Sequence, residues 1–371
     1  MIDKEKNLIL KQIKSISVDE NLTNLFSLNE IKSLQPFLKR HNFEHLLFDI
    51  MQKNGVEDSE SLSFAKQIKN KAVFKSLLQE EALQKTKSAF ENAKIGYILL
   101  KGARIKKLYA QEWMRVSDDV DILVKPEDLK KAEDAIEKAG FMFNARSTHD
   151  VSFVDENKIK IELHYDLIED SCAKNANAVL KNVWDSAVKK DGYEYFLTDD
   201  MMYFYHIAHL AKHFELGGCG VKAILDTFLL NQIDFDAKKR NELLIKGELN
   251  VFAQKMEKLA ENWFVDEEVD SELVSLTEYI IRGGNFGSYS NYALTKKATK
   301  KGALKELLFP KKSDMEKLFP VVKKTVLLLP IFWVVRIVKK IFKGNSKRYI
   351  KKIRSINDHN QANEFFDEIG L

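Results

Sequence analysis

Residues 98–129, "ILLKGARIKKLYAQEWMRVSDDVDILVKPEDL", constrain the fold more than any other stretch of the chain. An apolar run stops at Lys101 and Gly102, a helical pattern follows, and Asp118, Asp119 and Asp121 then interrupt a run of β-forming residues. Carboxylates buried beside Val120, Ile122, Leu123 and Val124 are costly unless something compensates their charge. Alternate side chains of a strand share a face, so Asp119 and Asp121 project together while Val120, Ile122 and Val124 point to the core. Asp118 falls on the opposite side and reads as a loop or capping residue. Adjacent carboxylates repel, and a divalent cation is their simplest partner.

The surrounding sequence predicts a small domain of mixed texture. "YILL" reads as a short buried strand and "ARIKKLYA" as a helix. Pro126 stands where a helix commonly opens, ahead of "EDLKKAEDAIEKAG", with Gly140 as its C-terminal cap. "HDVSFVD" and "KIKIELHYDL", joined by the polar "ENK", predict an antiparallel hairpin. In the second of these, Ile159, Ile161, Leu163 and Tyr165 form one face, and Lys160, Glu162, His164 and Asp166 the other. If this strand lies beside the aspartate strand, Glu162 becomes a third carboxylate at one metal centre. Three hard oxygen donors suit Mg²⁺ or Mn²⁺ rather than Zn²⁺.

The expected fold class is therefore α+β: a small mixed or antiparallel sheet with helices over 92–168, flanked by helical regions. Residues 1–91 carry apolar positions at helical spacing, and such patterns return from about 177 to 282, so 169–282 reads as a helical domain completing a cleft. Residues 283–371 read as a loop followed by basic amphipathic helices. Their apolar run "TVLLLPIFWVV" is well short of the ~20 residues of a spanning helix, and Pro330 divides it. It fits a closing helical hairpin, or an interfacial contact with the anionic inner face of a membrane. The first residues lack the apolar core of a signal peptide, and Cys172 and Cys219 form no paired motif, so a reducing cytoplasm is the expected location. With 59 basic and 55 acidic residues the net charge is only +4, too balanced to point to nucleic acid as a partner.

Further residues carry chemistry. A strand running into Lys101 and Gly102 at a helix start lets backbone N–H groups approach a phosphate, and Lys101 and Arg115 add positive charge. His206, His209 and His213 lie on one stripe of a helix, facing the site, packing, or holding zinc. Asp226 is a candidate to fix one of these histidines through a charged hydrogen bond.

These pieces, taken in order, resemble a known group. "LLKG" at 99–102, "RVSDDVDILV" at 115–124, "KPEDL" at 125–129 and "IELHYDL" at 161–167 are similar to the motifs of the bacterial uncharacterised nucleotidyltransferases of the DNA polymerase β-like superfamily. The likeness continues more weakly through "HLAKHFELGGCGVKAILDTFLL" at 209–230 and "LLLPIFWVVRIVKKIF" near the C-terminus. It implies a polymerase β-like core that transfers a nucleoside monophosphate from an NTP to a hydroxyl and releases pyrophosphate. Asp119 and Asp121 would hold two Mg²⁺ (or Mn²⁺) ions, with Glu162 ligating the second and helping to deprotonate the acceptor. Lys101, Gly102, Arg115 and Ser117 would contact the nucleotide phosphates. His164, His209, His213 and Asp226 would support the ligands or face the acceptor, which we expect to be a small molecule, glycan or protein rather than nucleic acid.

Two departures stand out. The superfamily commonly has Gly-Ser after the first strand, where this chain has Lys101-Gly102-Ala103, and Glu162 replaces a common aspartate. They motivate an alternative, a catalytically inactive nucleotide-sensing or membrane-associated binding protein of the same fold. A zinc hydrolase built on the histidine stripe is a third, weaker reading.

Overall fold

The computed structural model describes residues 4–288 except 24, 148, 169–172, 267–269 and 286, then scattered positions from 291 to 321, and the segments 328–340 and 365–371. Cys172 and the basic stretch 341–364 therefore lie outside the described residues. The chain opens with α1 (Lys4–Ser17), α2 (Leu28–Arg40), α3 (Leu47–Lys53) and α4 (Ser59–Ala93). Local chemistry sets their starts. Ser27 and Glu30 form a reciprocal capping box on α2, and the Asp58 carboxylate accepts the Ser61 N–H at the head of α4.

Strand β1 (Tyr97–Leu99), helix α5 (Lys101–Ile105), β2 (Asp119–Val124) and α6 (Leu129–Lys138) follow. Helix α5 is shorter than "ARIKKLYA" suggests, because the chain tightens into a 3₁₀ turn at Lys106–Leu108. Pro126 opens a 3₁₀ turn that leads into α6. Gly140, at φ +94°, stands just past the end of α6 in the left-handed conformation that glycine tolerates.

The sheet continues with β3 (Met142–Arg146), β4 (Asp150–Val154), β5 (Lys160–His164), β6 (Val188–Asp191) and β7 (Glu194–Phe196), in the order β3-β4-β5-β2-β1-β7-β6. The expected β4–β5 hairpin forms, and β5 lies parallel to β2. Two features extend the architecture read from sequence. Strand β3 is exposed at all five positions, so it carries no inside-outside alternation. The β6–β7 hairpin adds an edge to the sheet at 188–196, within a stretch whose pattern predicts only helices. Its Asp191-Gly192 turn, with Gly192 at φ +50°, is the local signal of that hairpin.

The remaining described helices are α7 (Ala176–Leu180), α8 (Asp199–Glu215), α9 (Val221–Leu230), α10 (Ala237–Lys246), α11 (Asn250–Phe264), α12 (Val274–Gly283) and α13 (Leu329–Lys340). No helix among the described residues is long and apolar enough to cross a membrane.

Two cores organise these elements. In one, Val120, Ile122, Val124, Ile161 and Leu163 from the sheet meet Leu83 and Phe90 of α4 and Ile136 of α6. The larger joins Ile9 and Ile13 of α1, Leu38 of α2 and Ala65 of α4 to Tyr203 of α8, Ile224 of α9 and Trp263 of α11, and takes Ile98 and Leu123 from the other sheet face. The N-terminal helices thus share a core with the C-terminal half.

Burial fixes the charge state of the histidines in this interior. His45 Nε2 donates a 2.7 Å bond to the Met114 carbonyl, and burial pushes both His41 and His45 down to about 4. Unfolding returns them to ordinary imidazoles that bind protons near 6.5. Stability from these neutral rings is therefore complete above about 6.5 and is lost as pH falls toward 4. The urea midpoint should drop between pH 7 and 4.5, and His45→Gln should flatten that slope. An unchanged slope would contradict the buried neutral ring.

Candidate active site

The parallel β2–β5 register sets Asp119 beside Lys160, Asp121 beside Glu162 and Leu123 beside His164. The three acids and His164 therefore share one sheet face, while Val120, Ile122, Ile161 and Leu163 point into the core behind it. Asp121 is 6% exposed. Its Oδ1 lies 2.7 Å from His164 Nε2 and 3.4 Å from Lys101 Nζ. Lys160 Nζ lies 2.5 Å from Glu162 Oε1 and 3.7 Å from Asp119 Oδ2. The compensation for the buried acids is thus built from lysines on both sides.

It is uneven. Burial raises the Asp119 carboxyl, and the neighbouring Asp121 and Glu162 charges add to this, bringing it up to about 6. Burial acts on Asp121 in the same sense, but Lys101 and His164 outweigh it and hold that carboxyl well below the ordinary range.

Strain marks the turn that delivers Lys101. This residue sits at φ +32°, a conformation that costs a non-glycine side chain about 1–3 kcal/mol. The Leu100 N–H bonds the Asp121 carbonyl at 3.0 Å, locking the turn to the acidic strand. Gly102 packs closely behind it: a Cβ there would meet Arg115 Nη1 at 3.0 Å. With only five residues, α5 brings little helix dipole to this turn.

Arg115 and Asp226 meet in a buried bidentate pair. Arg115 Nε and Nη2 donate to the two Asp226 oxygens at 2.9 and 2.7 Å, and the Tyr109 hydroxyl donates to Oδ1 at 2.9 Å. Burial would raise Asp226, but the guanidinium beside it keeps its carboxyl low. The acid fixes an arginine rather than a histidine. His206 bonds Thr227 Oγ1 at 2.8 Å instead. Ser117 donates to the Asp119 carbonyl at 3.0 Å and holds the entry to β2. Asp118 turns outward to Lys75 at 2.7 Å.

Across from the acids, α8 and α9 close a cleft of about 320 Å³. Lys101, Gly102, Arg115, Ser117, Asp119, Asp121, Glu162, His209, His213 and Asp226 all line it, and His164 stands behind Asp121. His209 and His213 contact each other ring to edge at 4.3 Å, and burial lowers both, His213 to about 4. These two rings are therefore neutral at pH 7. Lys222 also lines the cleft, a residue that no sequence pattern singled out.

The donor set suits a hard cation. Asp121, Glu162 and His164 offer ligand atoms within 4.8 Å of one another, with Asp119 one pleat away. Among the described residues this is the only such group, so the His206, His209 and His213 stripe does not converge as a zinc site. His206 is drawn to Thr227, and the other two rings pack on each other.

No curated protein and no solved structure matches the chain. A family model described as an uncharacterised nucleotidyltransferase matches residues 27–265, which include the whole sheet, both walls of the cleft and every acid named above. The chain belongs to this nucleotidyltransferase family.

Proposed function

We propose that the protein is a divalent-metal-dependent enzyme that transfers a nucleoside monophosphate from an NTP to a hydroxyl of a non-nucleic-acid acceptor, releasing pyrophosphate. The observation that carries this reading is the register of Asp121 against Glu162 on adjacent parallel strands, with Asp119 on the same face. Asp119, Asp121 and Glu162 would hold Mg²⁺ or Mn²⁺, and His164 would orient Asp121 through the 2.7 Å bond. Bound there, the metal supplies Lewis-acid stabilisation of phosphate charge and a lowered acceptor pKa.

The chain's own groups do the rest. Lys101 sits beside Asp121 and can move its ammonium onto a phosphate oxygen once the carboxylate is otherwise compensated. Lys160 stands in the same relation to Glu162 and Asp119. Glu162, freed from Lys160, would receive the acceptor proton. The neutral histidine wall presents hydrogen-bonding nitrogens without repelling or capturing the anion. The modest net charge of +4 favours a small, glycan or protein acceptor over a polyanion.

Calorimetric titration of the wild type with each NTP, with and without Mg²⁺, tests the reading, alongside pyrophosphate release on adding cell extract as acceptor. Metal-dependent binding and extract-dependent release are expected. Binding without release under any acceptor pool would instead favour a nucleotide sensor of the same fold.

A further inference from the structure

Three cationic side chains among the described residues line the cleft, and two are committed. Lys101 pairs with Asp121, and Arg115 is chelated by Asp226. Lys222 has no carboxylate within ion-pair distance among the described residues, and its Nζ donates only to the Val116 carbonyl at 2.9 Å. That bond holds the ammonium against the segment leading into β2, three residues ahead of Asp119, with two N–H groups left over.

Its setting is built for an anion. Gly217 and Gly218, at φ +116° and +109°, turn the chain from α8 into α9, and Gly220, which has no side chain to cap it, heads α9. There the Val221 N–H meets His41 Nδ1 at 3.5 Å and the Ala223 N–H the Gly220 carbonyl at 3.1 Å. Cys219, Gly220 and Ala223 join Lys222 on the cleft wall, so the positive end of a ten-residue helix faces the same space. The backbone cannot retreat, since a Cβ on Gly220 would meet the Asn285 Cα at 2.7 Å. Burial, with Arg115 nearby, pushes the Lys222 ammonium down to about 8, a strain that an arriving anion relieves.

Resting on the nucleotidyl-transfer reading, we infer that Lys222 and the head of α9 form the subsite for the terminal phosphates of the triphosphate. With the α-phosphate at the carboxylates, the β- and γ-phosphates extend past Val116 to this wall. The acceptor oxygen bonds the α-phosphorus while the bond from that phosphorus to the bridging oxygen breaks. Its electron pair leaves on pyrophosphate, whose charge Lys222 meets.

The test titrates wild type, Lys222→Met and Lys222→Arg with an NTP, the matching NMP and inorganic tripolyphosphate, in Mg²⁺. Thermal melting of each variant confirms that it is folded. Loss of a charge-assisted contact predicts affinity for the NTP and tripolyphosphate falling about tenfold or more in Lys222→Met. NMP affinity should hold within about twofold, and Lys222→Arg should recover most of the loss. Tripolyphosphate binding equal in wild type and Lys222→Met, or absent from both, overturns the subsite. An equal loss for NMP would also overturn it, by assigning Lys222 to the α-phosphate or an acceptor phosphate. Tripolyphosphate binding that depends on Lys222 while wild type binds no NTP would keep the anion subsite and remove the nucleotide reading.

Discussion

Asp121→Asn is expected to lower pyrophosphate release by about 10²–10³-fold or more, the scale of removing a group that stabilises transition-state charge. The substitution is nearly isosteric. An asparagine oxygen can still accept the His164 bond that now spans 2.7 Å, so the ring and strand should keep their places. What disappears is the negative charge that Lys101 neutralises and that a cation requires. Asp118→Asn is the matched control. Its carboxylate stands at the cleft mouth, paired with Lys75, and its side chain is 70% exposed, so turnover should stay within about threefold, as for most surface changes. If both variants lost activity equally, general charge at the cleft mouth would explain the result and the register argument would fall.

The second large effect concerns stability. Arg115→Met should cost about 3–5 kcal/mol, because Asp226 is left charged and buried without its partner. Both side chains are under 10% exposed, so water can do little to compensate. Arg115→Met/Asp226→Asn removes both charges and retains an acceptor for the Tyr109 hydroxyl. It should recover most of the loss in urea denaturation. A single variant within about 1 kcal/mol of wild type would mean that the pair is far better hydrated than its geometry indicates.

Much of the site was legible because a strand imposes strict alternation. Val120, Ile122 and Val124 alternate with Asp119 and Asp121, and Ile161 and Leu163 with Glu162 and His164, so the two faces could be assigned from residue types alone. That these strands adjoin in parallel could be posed only as a condition, since the segments are some forty residues apart and an intervening helix and hairpin decide the order.

Counter-ions were the least legible part. Arg115 and Asp226 each suggested a different partner, and they meet across 111 residues. Lys222 lies inside the weaker likeness at 209–230 but nothing singled it out there, because its meaning comes from Val116, 106 residues away. Strand β3, exposed throughout, offers no contrast between core and solvent positions. The β6–β7 hairpin did leave a mark in Asp191-Gly192, but its strands are short and partly solvated.

Helix α4 has a consequence for how the molecule comes apart. Its first turns bury Ala65 in the larger core, and its last turns bury Leu83 and Phe90 beneath the sheet. Thirty-five residues of continuous helix run about 50 Å at the usual rise. A rod anchored at both ends transmits the loss of either anchor to the other. Native-state hydrogen exchange should therefore find the slowest amides of both ends of α4 opening with one common free energy, a single cooperative unit rather than two independently melting halves.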